Sequence, residues 1–205
     1  MSAQSRVWFV TGASSGFGKA LAEAVLQKGE RAVLVARRPE ALAGLASAHP
    51  GRAIAIPTDL LDSAQRARAV ERAMEAFARI DVLANIAGRG SLAAAEEFSE
   101  AELRAQMEIN FFAPVELTRA ALPHLRAQKG GHILNLTSVG GIISVGGFSA
   151  YCASKYALEG WTEALRDEMA PFGVRVTLVE PGNFRTDFAG KLTCGPRIPS
   201  QPTGR

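Results

Sequence analysis

The sequence predicts an α/β fold: a doubly wound parallel sheet of six strands, ordered 3-2-1-4-5-6, with helices on both faces. Three observations predict it. Short, almost wholly apolar runs, as expected of strands buried on both faces, alternate with stretches at helical spacing. The first run ends in a glycine loop that opens a helix. Glycine, proline or polar residues then stop each later run at what would be the carboxyl end of a strand.

Taken in order, Arg6 to Thr11 is the first strand, and Thr11-Gly12-Ala13-Ser14-Ser15-Gly16-Phe17-Gly18 leads into a helix with Leu21 and Val25 four apart, stopped by Gly29. Arg31 to Ala36 is the second strand. Pro39 suits the first turn of a short helix through Ala48 because its φ is fixed and its donor is missing. Ala53 to Pro57 gives the third strand and Ser63 to Ala78 a helix with Val70, Met74 and Phe77 on one stripe. Asp81 to Ala87 is the fourth strand, stopped at Gly88. Ser99, with Glu102 at the capping-box position, starts a long helix toward Gly130, with Met107, Phe111 and Val115 as its stripe. Pro114 should kink that helix or expose a carbonyl near Asn110. His132 to Thr137 is the fifth strand, a helix from about Ser149 carries Leu158, Trp161, Leu165 and Met169, and Arg175 to Glu180 is the sixth strand before Pro181-Gly182.

The chemistry collects at the strands' carboxyl ends. The glycine loop, with Gly12, Ser14, Ser15, Gly16, Phe17 and Gly18, allows a tight turn and a close backbone approach at a helix start, where a pyrophosphate fits; a plain strand-to-helix turn has the same signature. A carboxylate about 20 residues on would suit NAD, but the second strand ends Ala36-Arg37-Arg38-Pro39. Arginine suits the 2'-phosphate of NADP(H), which is therefore favoured over NAD(H), unless Arg37 and Arg38 are solvated loop charges. On a helix, Tyr151 and Lys155 project from one face, and the cation favours the phenolate, bringing the phenol toward the neutral range. Ser138 can bring a hydroxyl to the same oxygen. Taken alone, Tyr-x-x-x-Lys also fits an amphipathic helix with a solvated lysine.

Length and composition narrow the alternatives. The 205 residues suffice for one sizeable core, and 47% apolar with 21% charged residues is ordinary for a globular protein. A formal charge of +3, with basic and acidic residues intermixed, offers no nucleic-acid or membrane patch. Cys152 and Cys194 imply no disulfide framework, and His49, His124 and His132 are not spaced as metal ligands, so no metal site is expected. Residues 133–154 carry no charge, yet Asn135, the hydroxyls and four glycines argue for strand, loop and helix start over a membrane span. No signal peptide is read at the N-terminus, and a cytoplasmic location is expected.

Together these motifs resemble the short-chain dehydrogenase/reductase family, in its single-domain branch with Thr-Gly-x-x-x-Gly-x-Gly and Tyr-x-x-x-Lys, over about Arg6 to Phe188. The resemblance implies a Rossmann-type domain over residues 1–188 and an enzyme that moves a hydride between NADPH and a carbonyl or alcohol. It implies that Gly12, Gly16 and Gly18 line the pyrophosphate, that Asp59 and Leu60 reach the adenine, and that Asn85, Ala87 and Gly88 support the middle of the cofactor. Tyr151 then looks like the catalytic acid and base, Lys155 its tuning and ribose-binding partner, Ser138 the orienter of the substrate oxygen, and Asn110 the holder of a relay water. Pro181, Gly182 and Thr186 resemble the nicotinamide segment. The resemblance also implies a homodimer or homotetramer formed through the helices beginning near Ser99 and Ser149.

Two departures from the family pattern stand out. Its Asn-Asn-Ala-Gly is Asn85-Ile86-Ala87-Gly88 here, one side-chain amide fewer. Residues 189–205, rich in Pro and Gly, read as an irregular or disordered tail where the family continues through a substrate loop and a seventh strand. The alternative expectation is a C-terminally truncated fragment or pseudoenzyme that binds NADP(H) without turnover; epimerase or dehydratase chemistry on nucleotide sugars is more distant. Gly146 to Phe148, Asn183 and Phe184 would border an apolar pocket.

Overall fold

Period-two alternation explains how each short run buries two apolar faces at once. In β1 (Val7–Thr11), Val7 and Phe9 enter one core layer while Val10 enters the other. The same split recurs in β2 (Arg31–Ala36), where Val33 and Val35 oppose Ala32 and Leu34. The computed structural model describes residues 5–182 and the backbone of 193–194.

The remaining sheet strands are β3 (Ala53–Pro57), β4 (Val82–Asn85), β6 (Gly131–Leu136) and β7 (Val174–Val179), with the two-residue β5 (Ser91–Leu92) outside the sheet. All pairings are parallel and the order is β3-β2-β1-β4-β6-β7. Counting only sheet strands in chain order, this is the expected 3-2-1-4-5-6. Order reverses on leaving β1, one side carrying β2 and β3 and the other β4, β6 and β7, so a crevice opens at the carboxyl ends of β1 and β4.

Helices α1 (Gly16–Gln27) and α2 (Glu40–Ser47) cover one face, contributing Ala22, Val25, Leu26 and Leu42 to its core. On the other face lie α3 (Ser63–Phe77), α5 (Ala113–Ala127) and α6 (Ser149–Met169), contributing Ala69, Val70, Leu117, Leu125 and Leu165. Local chemistry places their starts. Asp62 caps α3 by accepting from the amides of Ala64 and Gln65, and Ser99 with Glu102 forms the expected capping box of α4 (Glu100–Met107).

The single long helix expected from Ser99 is corrected. It is divided into α4 and α5 by a π-helical turn, Glu108–Phe112, in which the Ala113 amide reaches back to Glu108 O. Pro114 brings no N–H to the carbonyl of Asn110, so a regular α-helix could not have satisfied that group.

The uncharged stretch 133–154 divides into β6, a 3₁₀ turn and the start of α6, and no helix among the described residues is long and apolar enough to cross a membrane. Within the segment read as an irregular tail, β8 (Thr193–Cys194) pairs in parallel with β5. Neither of these two-residue strands has the periodicity that would mark it in the sequence.

Candidate active site

The glycine loop is built by backbone contacts that exclude side chains. The buried Thr11 hydroxyl accepts from the amides of Ile86 and Ala87, at 2.9 and 3.0 Å, and donates to Ala84 O at 3.3 Å, which ties the end of β1 to the end of β4. Gly12 then turns at φ +70, and a Cβ there would lie 3.1 Å from Ala87 Cα. Gly18 is tighter: its Cβ would stand 2.4 Å from Gly12 O and 2.8 Å from Thr11 O. Ser15 precedes α1 in an extended conformation and makes no side-chain cap. A glycine-lined surface at an uncapped helix start is a fit for a cofactor pyrophosphate.

Gly18→Ala should therefore force the loop open rather than displace a flexible neighbour. NADPH affinity in a calorimetric titration is expected to fall at least about tenfold, with a stability loss of about 1–3 kcal/mol. Gly44→Ala, where a Cβ meets nothing within 4 Å, is the control and should bind as the parent does.

At the end of the crevice expected to take the adenine, Arg37 and Arg38 follow β2 and are both exposed. The Asp59 amide donates to Gln65 Oε1 at 2.8 Å, and Asp59 Oδ1 accepts from the Leu61 amide at 3.1 Å. Leu60 is buried, and its carbonyl takes Nη1 of Arg66 at 2.5 Å. Arg66 itself is only 2% exposed and reaches Glu108 at 2.7 Å and Glu116 at 2.6 Å. One guanidinium thus joins the turn after β3 to the π turn that carries Asn110.

Across the crevice, β6 ends where Ser138 opens the 3₁₀ turn Val139–Gly141, its hydroxyl accepting from the Gly140 amide at 3.1 Å. That turn lies on α6: a Cβ on Gly140 would sit 3.0 Å from Tyr151 Cε1. Ser138 hydrogen-bonds Tyr151, and the Phe148 ring meets the Tyr151 ring edge-on at 6.2 Å. The Lys155 ammonium donates to Leu136 O at 2.8 Å and stands 5.9 Å from the Tyr151 ring centroid.

The expectation that the Lys155 cation draws Tyr151 toward neutrality is corrected. Burial pushes the phenol above its ordinary value, the Ser138 hydrogen bond opposes this, and Cys152 adds to the rise. Burial likewise draws Lys155 down to about 8, with Glu159 opposing. Tyr151 is thus held as a phenol beside a hydroxyl. That pair can hydrogen-bond a carbonyl oxygen and give it a proton.

Asn110 joins the cluster through its side chain. Its side-chain oxygen accepts from the Arg89 amide at 3.0 Å, while its nitrogen donates to Arg89 O at 2.9 Å and to Ser154 Oγ at 3.0 Å. The side chain is a latch between β4's exit and α6, which leaves the backbone carbonyl as the group available for other work. A Cβ on Gly88 would lie 3.1 Å from Asn110 Oδ1 and 3.6 Å from Lys155 Nζ, so these three residues converge.

Asn85 does not join them. It is buried among Asn135 Oδ1 at 2.8 Å, Thr118 Oγ1 at 3.2 Å and the further pair Asn135–Thr162, which makes it an interior strut beneath the sheet. Ala87 and Gly88 stay at the crevice, and Pro181 O accepts from the Val139 amide at 3.4 Å. Thr186, Asn183 and Phe184 lie outside the described residues. Sequence reasoning missed Thr11, Ser154 and Arg66. Ser154 adjoins Lys155 and Thr11 opens the glycine motif, so position alone could have flagged those two.

A family model described as short chain dehydrogenase matches residues 6–195. The chain is 40% identical over 199 residues to oxidoreductase BOA17 of Botryotinia fuckeliana, covering 97% of this chain and 72% of that protein. A short-chain dehydrogenase from Streptomyces avermitilis superposes with a TM-score of 0.92 at 46% identity, over 98% of this chain and 74% of that one. A metagenomic short-chain oxidoreductase in complex with NADP gives 0.82 at 38% identity, over 88% and 83%. A short chain dehydrogenase/reductase from Burkholderia phymatum in complex with NAD gives 0.86 at 30% identity, over 92% and 69%.

Proposed function

Since the chain belongs to the short chain dehydrogenase family of oxidoreductases, which act on CH–OH and C=O groups, we propose that it reduces an apolar carbonyl with NADPH, or runs the reverse oxidation, using Tyr151 as acid and base. The observation that carries this reading is the convergence of Ser138, Tyr151 and Lys155 at the end of β6, across the crevice from the glycine loop. A bound nicotinamide supplies or accepts the hydride, which no side chain can do. Tyr151, kept protonated by burial, gives its proton to the substrate oxygen during reduction, and Ser138 orients that oxygen. Lys155 holds the ribose side of the cofactor, and the Asn110 carbonyl marks where a relay water would sit.

Two further assignments go with it. Arg37 and Arg38, exposed at the end of β2 with no acid before Glu40, favour the 2'-phosphate of NADPH. Val139, Ile142, Ile143 and Val145, exposed directly after Ser138, favour an apolar substrate. We infer pairing of two copies through α4, α5 and α6, where exposed Leu103 on α4, Phe112 at the end of the π turn and Tyr156 on α6 suit such an interface.

The test is NADPH oxidation by the full chain with a panel of apolar ketones, next to calorimetric titration with NADPH and NADH. NADPH is expected to bind more tightly and to be consumed. Arg37→Ala/Arg38→Ala should weaken NADPH binding about tenfold or more and leave NADH binding unchanged. Tight NADPH binding without turnover on any ketone would overturn the catalytic reading and leave a cofactor-binding protein.

A further inference from the structure

Glu159 lies one turn beyond Lys155 on α6, so Tyr151, Lys155 and Glu159 follow one another at i, i+4 and i+8. None of the roles above uses it, yet its surroundings are closely built. Its Oε1 is buried and has no hydrogen-bond partner. A Cβ on Gly141 would stand 2.9 Å from Glu159 Cγ, 3.0 Å from Oε1 and 3.3 Å from the Lys155 carbonyl, so a side chain at position 141 would crowd this carboxylate.

The Thr137 hydroxyl is its hydrogen-bond partner. That hydroxyl also donates to Val179 O at 3.2 Å, a carbonyl that accepts the Thr137 amide as well at 2.8 Å, so its one proton is shared between Val179 O and Glu159. Successive groups at the end of β6 therefore meet successive turns of α6. Leu136 O takes the Lys155 ammonium at 2.8 Å, and Thr137 takes Glu159.

A half-satisfied carboxylate here is poor packing, and an apolar side chain would fill the same space at less cost in desolvation. Its use is electrostatic. We propose that Glu159 is a positioning residue whose carboxylate keeps the Lys155 side chain in its ammonium form at the end of β6. Consistent with this, burial pulls Lys155 down and Glu159 is the group opposing it. The charged groups acting on Glu159 are Glu180 after β7, Glu163 one turn on along α6, and Lys155. Burial raises its own pKa, Thr137 opposes, Glu180 and Glu163 raise it further, and Lys155 lowers it.

For turnover, the proposal rests on Lys155 holding the cofactor beside Tyr151 as proposed above; the titration of Lys155 does not. The chain has five lysines, so the ε-carbon resonances of protein made with ¹³C-lysine are few, and the one absent from Lys155→Met is Lys155. Its titration is followed in the parent, in Glu159→Gln and in Glu159→Asp, alongside thermal melts. The midpoint should be lower in Glu159→Gln, and Glu159→Asp, which keeps the charge, should recover most of that shift. The alkaline limb of turnover should move down with it while NADPH affinity is unchanged. Coincident Lys155 curves in parent and folded Glu159→Gln, or an equal shift in Glu159→Asp, would overturn the proposal. A lower midpoint with an unmoved turnover limb would uphold it and instead remove Lys155 from the catalytic reading.

Discussion

Lys155→Met loses turnover and gains stability. Turnover should fall about 10²–10⁴-fold, the range for removing a participant in general acid–base catalysis. The gain follows from burial, because Lys155 is 4% exposed and its pKa is drawn from 10.5 to about 8. Below pH 8 the folded chain carries a buried ammonium, whereas the unfolded chain keeps its lysine protonated up to the ordinary value. Between these two values the unfolded state binds more protons, so stability rises with pH across that window. At neutral pH the buried charge costs about 3 kcal/mol, and the Lys155–Leu136 hydrogen bond returns about 1 kcal/mol.

Methionine removes both, a net gain of about 2 kcal/mol and about 4–8 °C in melting temperature for a chain of this size. The gain should shrink as pH rises through 8 and vanish above 10.5. Tyr151→Phe should lose turnover to a similar degree without that pH-dependent gain, since its phenol is buried uncharged. Thermal melts of the parent and both variants at neutral and strongly alkaline pH check this. A methionine variant no more stable than the parent at neutral pH would mean that the buried ammonium is not costly.

Arg66→Ala is expected to be the most damaging substitution outside the crevice. Arg66 is 2% exposed, and its removal leaves Leu60 O without its donor and Glu108 and Glu116 without their cation. The two carboxylates are 31% and 38% exposed and can regain water, which lowers the penalty below that of a fully buried pair. The orphaned carbonyl and the lost side-chain volume still amount to about 3 kcal/mol, or about 6–12 °C in melting temperature. Arg66→Met keeps the stem and drops the charge, and should lose less than half as much. Because the turn at Leu60 and the π turn are both released, NADPH affinity should weaken in both variants. Equal losses in melting temperature would show that the charge, not the packing, holds these segments.

Most of the sheet was legible because a strand buried on both faces announces itself as an apolar run, and each run here is stopped by glycine, proline or a polar residue within a residue or two of its observed end. The candidate cluster was legible for a similar reason, since Ser138, Tyr151 and Lys155 are brought together by local geometry: one strand end and one helical turn. What the sequence concealed depends on distant neighbours. Arg66 looks like one more solvated helix charge until α5 closes over it, and the bonds from the Asn85 amide to Thr118 and Asn135 span 33 and 50 residues of sequence. An i, i+4 cation is visible in a sequence and desolvation is not, so the upward push that burial gives Tyr151 was not legible. Pro114 did announce a disturbance at Asn110, but whether it becomes a kink or a π turn is decided by what the flanking segments pack against.

The π turn from Glu108 to Phe112 has a consequence for the shape of the whole face. It amounts to one residue inserted into a helix, which puts the side chains before and after it out of phase by about 100°. A single unbroken segment therefore aims two apolar stripes in different directions: α4 packs on α6 and α5 packs on α3. Removing one residue from Glu108–Phe112 would give a longer regular helix, with Pro114 still offering no N–H to the carbonyl four residues back. It would also swing one stripe into solvent and Asn110 away from Lys155, so the irregular turn is the more economical solution for both packing and chemistry.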